Sequence, residues 1–194
     1  LLQSIAVGDI VWDVGANIGF YTTKFSDAVS YSGSVVAFEP ITDTFEILKE
    51  KVKNLDNVAL FQIALGESDQ ALTMSINHEV GSPTNKILSN PNGDAAVGIA
   101  TATISVRSAD SIIEEFSLDV PNVIKIDVEG YEGYVIKGMS SLLDHRSVKI
   151  VAMEIHFAIL EENGDTVAVS EITKLLVAKG FSLKWTDPSH IIAS

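Results

Sequence analysis

The sequence predicts an α/β domain, a mostly parallel sheet with helices on both faces. Three observations carry that expectation. Short apolar runs alternate with helical patterns along the chain, as parallel strands alternate with crossover helices. Several of the runs read as buried strands, bounded by Gly, Pro or acids. The rhythm breaks once, between Glu67 and Val106, where two strand-like runs flank a long polar loop.

In chain order, "DIVWDV" is the first strand and "FYTTKFSDAV" the helix after it. "SVVAFEP" is the second strand, stopped by Pro40. Ile41, Phe45, Leu48, Val52 and Leu55 then fall at steps of four and three, one face of an amphipathic helix. "NVALFQIAL" is the third strand. In the insertion, residues 67–106, "ALTMSIN" and "IATATISV" form a β-hairpin around the loop from His78 to Gly98. A connection of that length is usually functional, here a substrate lid, or else a decoration. Ser111-Ile-Ile-Glu114 matches a capping box opening a short helix. "NVIKIDV" is a strand, and Val135, Ile136, Met139, Leu142 and Leu143 form a helical stripe. "VKIVAMEI" is a further strand, and Val169, Ile172, Leu175 and Leu176 line a last helix that Gly180 closes. "FSLKW" and "HIIAS" make a closing hairpin around Asp187-Pro188. No repeat or linker interrupts the 194 residues, so one domain is expected.

Composition narrows the partners. A 46% hydrophobic share and a mean hydropathy of +0.27 suffice for a sizeable core. Charged residues make up only 20%, which speaks against a disordered chain. A net charge of −13 repels a phosphate backbone and disfavours nucleic acid as partner. The absence of cysteine removes disulfides, thiolate metal sites and thiol nucleophiles together. No apolar run is long enough for a membrane span, and "LLQSIAVGD" lacks the marks of a signal peptide, so a cytoplasmic location is expected. The first residue is Leu, which fits a segment of a longer protein.

"VWDVGANIGF" places Gly15 and Gly19 directly after the first strand. Ligands of parallel sheets sit at that carboxyl end, and a missing Cβ permits positive φ and close approach of a ligand. Glu39 ends the second strand 20 residues after Gly19, where a carboxylate can accept both hydroxyls of a ribose. The glycine spacing departs from the G-x-G-x-x-G of dinucleotide sites, and Asp13 is an awkward neighbour for a diphosphate. S-adenosylmethionine, with a ribose, a sulfonium and an ammonium but no phosphate, suits these acids better. The competing interpretation is a helix-entry turn with a satisfied acid.

Two stretches, "VWDVGANIGFYT" with "VVAFEP" and "VIKIDVEGYEGYVIKGM", resemble the class I S-adenosylmethionine-dependent methyltransferases, specifically the FkbM family. The second matches a K-x-D-x-E-G-x-E pattern at Lys125, Asp127, Glu129, Gly130 and Glu132. The resemblance runs from Asp9 to about Trp185. It implies a Rossmann-like seven-stranded sheet in the order 3-2-1-4-5-7-6, its last strand antiparallel, with the hairpin and loop inserted after strand 3. It also implies O-methylation of a hydroxyl on a glycan or small secondary metabolite. Carried over, Asp13, Gly15, Ala16, Asn17 and Gly19 hold the methionine end. Glu39 and Pro40 lie at the ribose, Ala64 at the adenine, and Asp127 beside the methyl. Relatives with further elements leave the substrate side open.

A hydroxyl acceptor must lose a proton, so a base is sought. Asp127 and Glu129 end one strand; Glu154 and His156 end the next, two apart and so on one face if the strand stays extended. His156 has the pKa best suited to a base at neutral pH. Bland alternatives are a helix cap by Asp127 or Glu129 and a hydrogen-bonded strand-end His156. The same groups suit Mg²⁺ or Mn²⁺. His78, His145 and His190 show no partner pattern, and Met74, Met139 and Met153 read as packing. Two further classes stay open, a binding module without turnover and, less favoured, an NAD-dependent enzyme.

Overall fold

The computed structural model describes residues 1–76 and 100–194. The loop expected from His78 to Gly98 lies outside the described residues. Three parallel strands open the chain: β1 (Ile10–Val14), β2 (Ser34–Phe38) and β3 (Val58–Phe61). A small second sheet follows, from β4 (Ala64–Leu65), β5 (Gln70–Ile76) and β6 (Ala100–Arg107). β7 (Val123–Ile126), β8 (Ile150–Glu154), β9 (Leu183–Trp185) and β10 (His190–Ala193) complete the main sheet. Its order is β3-β2-β1-β7-β8-β10-β9, with β10 antiparallel to both neighbours. Counting only this sheet's strands, that is the expected 3-2-1-4-5-7-6.

The strands are buried because helices cover both faces. Val11, Val35 and Val123 pack under Phe25 and Val29 of α1 (Phe20–Val29). Ala37 meets Leu48 and Val52 of α2 (Thr42–Val52) on the same side. On the other face Trp12, Val36, Ile124 and Ile126 form the main core. It is closed by Ile112 of α3 (Ala109–Phe116), Val135 and Ile136 of α4 (Glu132–Gly138), Leu160 of α5 (Phe157–Glu162), and Ile172 and Leu176 of α6 (Ala168–Ala178). Met139 and Met153 are buried in that core.

Three local expectations change or gain detail. The run from Asn57 to Leu65 is two strands, because β4 leaves β3 and pairs parallel to β6. Nine apolar-rich residues read alike whether the strand is straight or bent. The helix expected at Ser111 begins at Ala109, and its cap is Ser108, whose Oγ accepts from the Ser111 N–H at 3.2 Å. Ser111 is already in the first turn, with its own Oγ donating to Asp69. Gly180 does close α6, at φ +92°, with Phe181 N–H bonded to Leu176 C=O and Gly180 N–H to Val177 C=O. That pair of bonds is a Schellman closure. Among the described residues no helix is long and apolar enough to cross a membrane.

Candidate active site

At the end of β1 the chain turns through Gly15 to Gly19. The N–H groups of Gly15 and Ala16 both donate to the Phe38 carbonyl, at 3.1 and 3.0 Å, which fastens the turn to β2. Gly15 has φ +75°, and a Cβ there would lie 1.9 Å from the backbone oxygen of Asp127. Gly19, at φ +79°, would place a Cβ 2.6 Å from Leu48 Cδ1. The sequence suggested that a ligand passes close to this turn. The crowding neighbours are the chain's own β7 end and α2, and that contact is what excludes side chains.

Behind the turn lies Lys125, almost wholly buried. Its Nζ donates to the Gly15 carbonyl at 2.8 Å and stands 3.3 Å from Asp13 and 3.4 Å from Asp127. Burial alone would lower the lysine's pKa, but the two carboxylates outweigh it and hold the pKa above its usual value. Asp13 has no exposed surface and accepts a hydrogen bond from Thr22 Oγ1 at 2.6 Å. It is therefore a neutralised support of the turn.

Glu39 follows β2 and is nearly buried. Its Oε2 accepts from the Asn17 N–H at 3.0 Å and its Oε1 from the Ile41 N–H at 2.9 Å. Desolvation pushes its pKa up to about 7 against the lowering effect of those two N–H groups and of Lys125. Each oxygen keeps acceptor capacity toward the cavity.

Across the cavity, the ends of β7 and β8 meet in an acidic corner. Nε2 of His156 lies 3.2 Å from Glu129 and 3.6 Å from Asp127. Nδ1 of His156 is 2.7 Å from Oε1 of Glu132, a side chain with no exposed surface. The same Oε1 accepts from the Gly130 N–H at 3.0 Å. Burial by itself would lower the His156 pKa, but the Glu132 hydrogen bond and the charges of Glu132, Glu129 and Asp127 push it up to about 9. The imidazole expected to serve as a neutral-pH base thus has three acids favouring its charged form. Desolvation first, then neighbouring carboxylates, raise Glu129 to about 7 against the lowering effect of His156. Neither Asp127 nor Glu129 caps α4, whose N-cap is Tyr131 without a side-chain bond. Asp127, Glu129 and His156 offer ligand atoms within 4.8 Å of one another, a set able to hold a metal ion.

These groups share one cavity of about 440 Å³. Of the positions singled out for a nucleoside cofactor, Gly15, Asn17, Glu39, Pro40, Ala64 and Asp127 line it, while Asp13, Ala16 and Gly19 are buried and do not. Glu129, His156 and Glu154 line the acidic end. Met74 and Ile104 from the second sheet line it too, and Met74 packs there in a small apolar cluster with Ile41, Ile104 and Val106, as expected. Sequence reasoning missed the roles of Lys125 and Glu132, which entered only as matching letters. The available signal was a charge inside the apolar run "VIKIDV" and an acid on the core side of a helix, since buried charges need partners. His190 also has partners: Nδ1 lies 2.9 Å from Asp187 and Nε2 3.3 Å from Glu154.

Comparison with known proteins adds a family. The profile described as the methyltransferase FkbM domain matches residues 13–183. The hexuronic acid methyltransferase AglP of Haloferax volcanii is 31% identical over 177 residues, covering 91% of this chain. The chain spans 64% of that protein's length. Methyltransferase 1 of Beauveria bassiana is 27% identical over 81% of this chain and 72% of its own. Among solved structures, a methyltransferase FkbM from Methylobacillus flagellatus superposes with a TM-score of 0.62 at 17% identity, over 95% of this chain and 43% of that one. Fibrillarin from Aeropyrum pernix with bound S-adenosyl-L-methionine superposes at 0.55 and 13% identity, over 97% and 67%. At those identities the structures support the fold alone.

Two substitutions test the support of the turn. Gly164, at φ +71°, has open space where a Cβ would stand, with nothing within 4 Å, so Gly164→Ala carries only the left-handed strain, about 1–2 kcal/mol. Gly15→Ala carries that strain and must also displace β7, so its urea midpoint should fall at least twice as far. Lys125→Met leaves Asp13 charged and buried, at a cost of about 3–5 kcal/mol. Adding Asp13→Asn should recover much of that loss. Equal unfolding midpoints for wild type and Lys125→Met would show that the ammonium supports nothing.

Proposed function

Because the chain belongs to the FkbM methyltransferase family, we propose that it binds S-adenosylmethionine in the cavity and transfers the methyl group to an oxygen of a carbohydrate. The observation that carries this reading is one cavity with Glu39 at one end and Asp127 and Glu129 at the other. Glu39, already anchored by two backbone N–H groups, accepts from the ribose hydroxyls. The adenine lies along Ala64, and the methionine end runs over Gly15 and Asn17 toward Asp127. Asp13 acts through Lys125, fixing the turn without touching the cofactor.

The sulfonium then faces the acidic corner. The acceptor oxygen's lone pair forms the new O–C bond while the C–S bond breaks onto sulfur, leaving S-adenosylhomocysteine. A hydroxyl acceptor's proton is drawn toward the carboxylates of the corner. The enzyme's part is chiefly alignment of an in-line displacement. A sugar acceptor is supported by the similarity to AglP, a hexuronic acid methyltransferase. The net charge of −13 speaks against a nucleic-acid acceptor.

Calorimetry tests the cofactor. Tight NAD binding without S-adenosylmethionine heat would sink the reading. Ribose hydroxyls favour the ionised Glu39, so binding lowers its pKa below the cavity value of about 7. Affinity should therefore be full above pH 7 and fall as pH drops, by up to about tenfold per unit. Glu39→Gln should bind more weakly at pH 8 and lose this dependence.

Labelled S-adenosylmethionine with a panel of hexuronic acids and neutral sugars tests the transfer. Product stable to mild alkali marks a hydroxyl acceptor, whereas alkali-labile product marks methylation of the uronate carboxylate. Asp127→Asn and Glu129→Gln should lower kcat by roughly 10²–10⁴-fold, with Glu129→Gln keeping the wild-type cofactor affinity. Unchanged turnover in both variants would remove the corner from the mechanism.

A further inference from the structure

The acidic corner has the make-up of a cation site. The Nδ1 of His156 is committed to the buried Glu132 at 2.7 Å, so Nε2 is the ring nitrogen that faces Asp127 and Glu129. A carboxylate behind the ring is the usual means of orienting a metal-ligating histidine. Glu132 is wholly buried, and its Oε2 has no hydrogen-bond partner among the described residues. Among the described residues, His156 is the only cationic side chain within ion-pair distance of Glu129. The nearby lysine, Lys125, is already divided between Asp13 and Asp127, and Glu154 is paired with His190.

We infer that Asp127, Glu129 and His156 bind one divalent first-row cation, Mn²⁺ in preference to Mg²⁺, whose open positions face the cavity and take oxygens of the acceptor. All three donors lie within 4.8 Å of one another, so a single ion reaches each of them; it takes the place of the Nε2 proton, which leaves to solvent, while Nδ1–H stays on Glu132. Two carboxylates call for a divalent charge. One imidazole nitrogen among the donors favours Mn²⁺ over Mg²⁺, which holds to oxygen ligands and keeps its waters. Three protein ligands leave positions for a chelating pair of sugar oxygens. The acceptor part of this inference rests on the carbohydrate methyltransferase reading; metal binding does not. For a uronate the ion resolves a conflict, because an anionic sugar would otherwise meet Asp127, Glu129 and Glu154 at close range. A hydroxyl bound to the ion would also give up its proton to solvent more readily.

The test is titration of the full chain with Mn²⁺ alone, by calorimetry and electron paramagnetic resonance, before any substrate is added. One ion per chain is expected, with a nitrogen coupling from an imidazole that disappears in His156→Ala. Glu129→Gln should weaken Mn²⁺ binding at least tenfold, and Glu132→Gln by roughly 10–100-fold through its hold on the ring. Glu171→Gln, at an exposed carboxylate paired with Lys137, should leave binding unchanged. Absence of stoichiometric Mn²⁺ binding, or binding unaltered in both His156→Ala and Glu129→Gln, overturns the site. Stronger binding of Mg²⁺ than of Mn²⁺ overturns the preference. S-adenosylmethionine binding measured on the same samples separates the two proposals. Cofactor binding without Mn²⁺ binding removes only the metal, and Mn²⁺ binding without cofactor binding removes the methyltransferase reading.

Discussion

One buried ammonium holds the functional end of the sheet together. Lys125 reaches from the middle strand to the Gly15 carbonyl, to Asp13 at the end of β1 and to Asp127 at the end of β7. Take it away and Asp13 is left buried with the Thr22 hydroxyl as its hydrogen-bond donor, while Asp127 keeps His156 at 3.6 Å. The turn itself cannot retreat, because Gly15 sits against the backbone of Asp127 with no room for a single extra carbon. The cavity floor is thus set by a charge network and a steric contact acting at the same point. Asp127 belongs to both: its backbone bounds the turn, and its side chain enters the acidic corner.

Much of the fold was legible because parallel strands have a plain pattern. Apolar runs such as "DIVWDV" and "VKIVAMEI" became β1 and β8 to within a residue or two. Adjacency was a different matter. Nothing in the spacing of the runs says that β7 lies beside β1, more than a hundred residues away; that came from resemblance. Bends were illegible for a related reason. The run from Asn57 to Leu65 has the same composition whether one strand or two, and only the pairing of β4 with β6 decides it. The cap at Ser108 was missed in favour of Ser111 because two serines three apart, each followed by acids, give the same local signal.

The site was legible by position and illegible by relationship. Glu39, Asp127, Glu129 and His156 do line one cavity. What their charges do to one another depends on distances across neighbouring strand ends, which sequence does not contain. His156 looked like a base because free imidazole titrates near neutrality. Its pKa is pushed up because Glu132 lies 2.7 Å behind it, and that contact exists only once the start of α4 meets the chain just after β8. Gly15 lines the cavity, but what crowds its Cβ position was equally illegible. A glycine at a strand end shows that something is near, and only the packing shows that it is another strand.

The acidic corner is built at some expense to stability, which bears on what it is for. Glu129 adopts φ +53°, a left-handed conformation that costs a side-chain-bearing residue on the order of 1 kcal/mol. Gly130 follows at φ +87°, with Ile159 filling the space a Cβ would need. Glu132 is wholly buried with one oxygen unmet, and such an acceptor costs about 1–3 kcal/mol. The effect of the present arrangement is to turn the Glu129 carboxylate back toward β8 and to fix the His156 ring so that Nε2 meets it. Neither outcome adds to the core. Both aim donor atoms at one point in the cavity, opposite the carboxylate of Glu39, where a ligand lying along the strand ends would bring its reactive group.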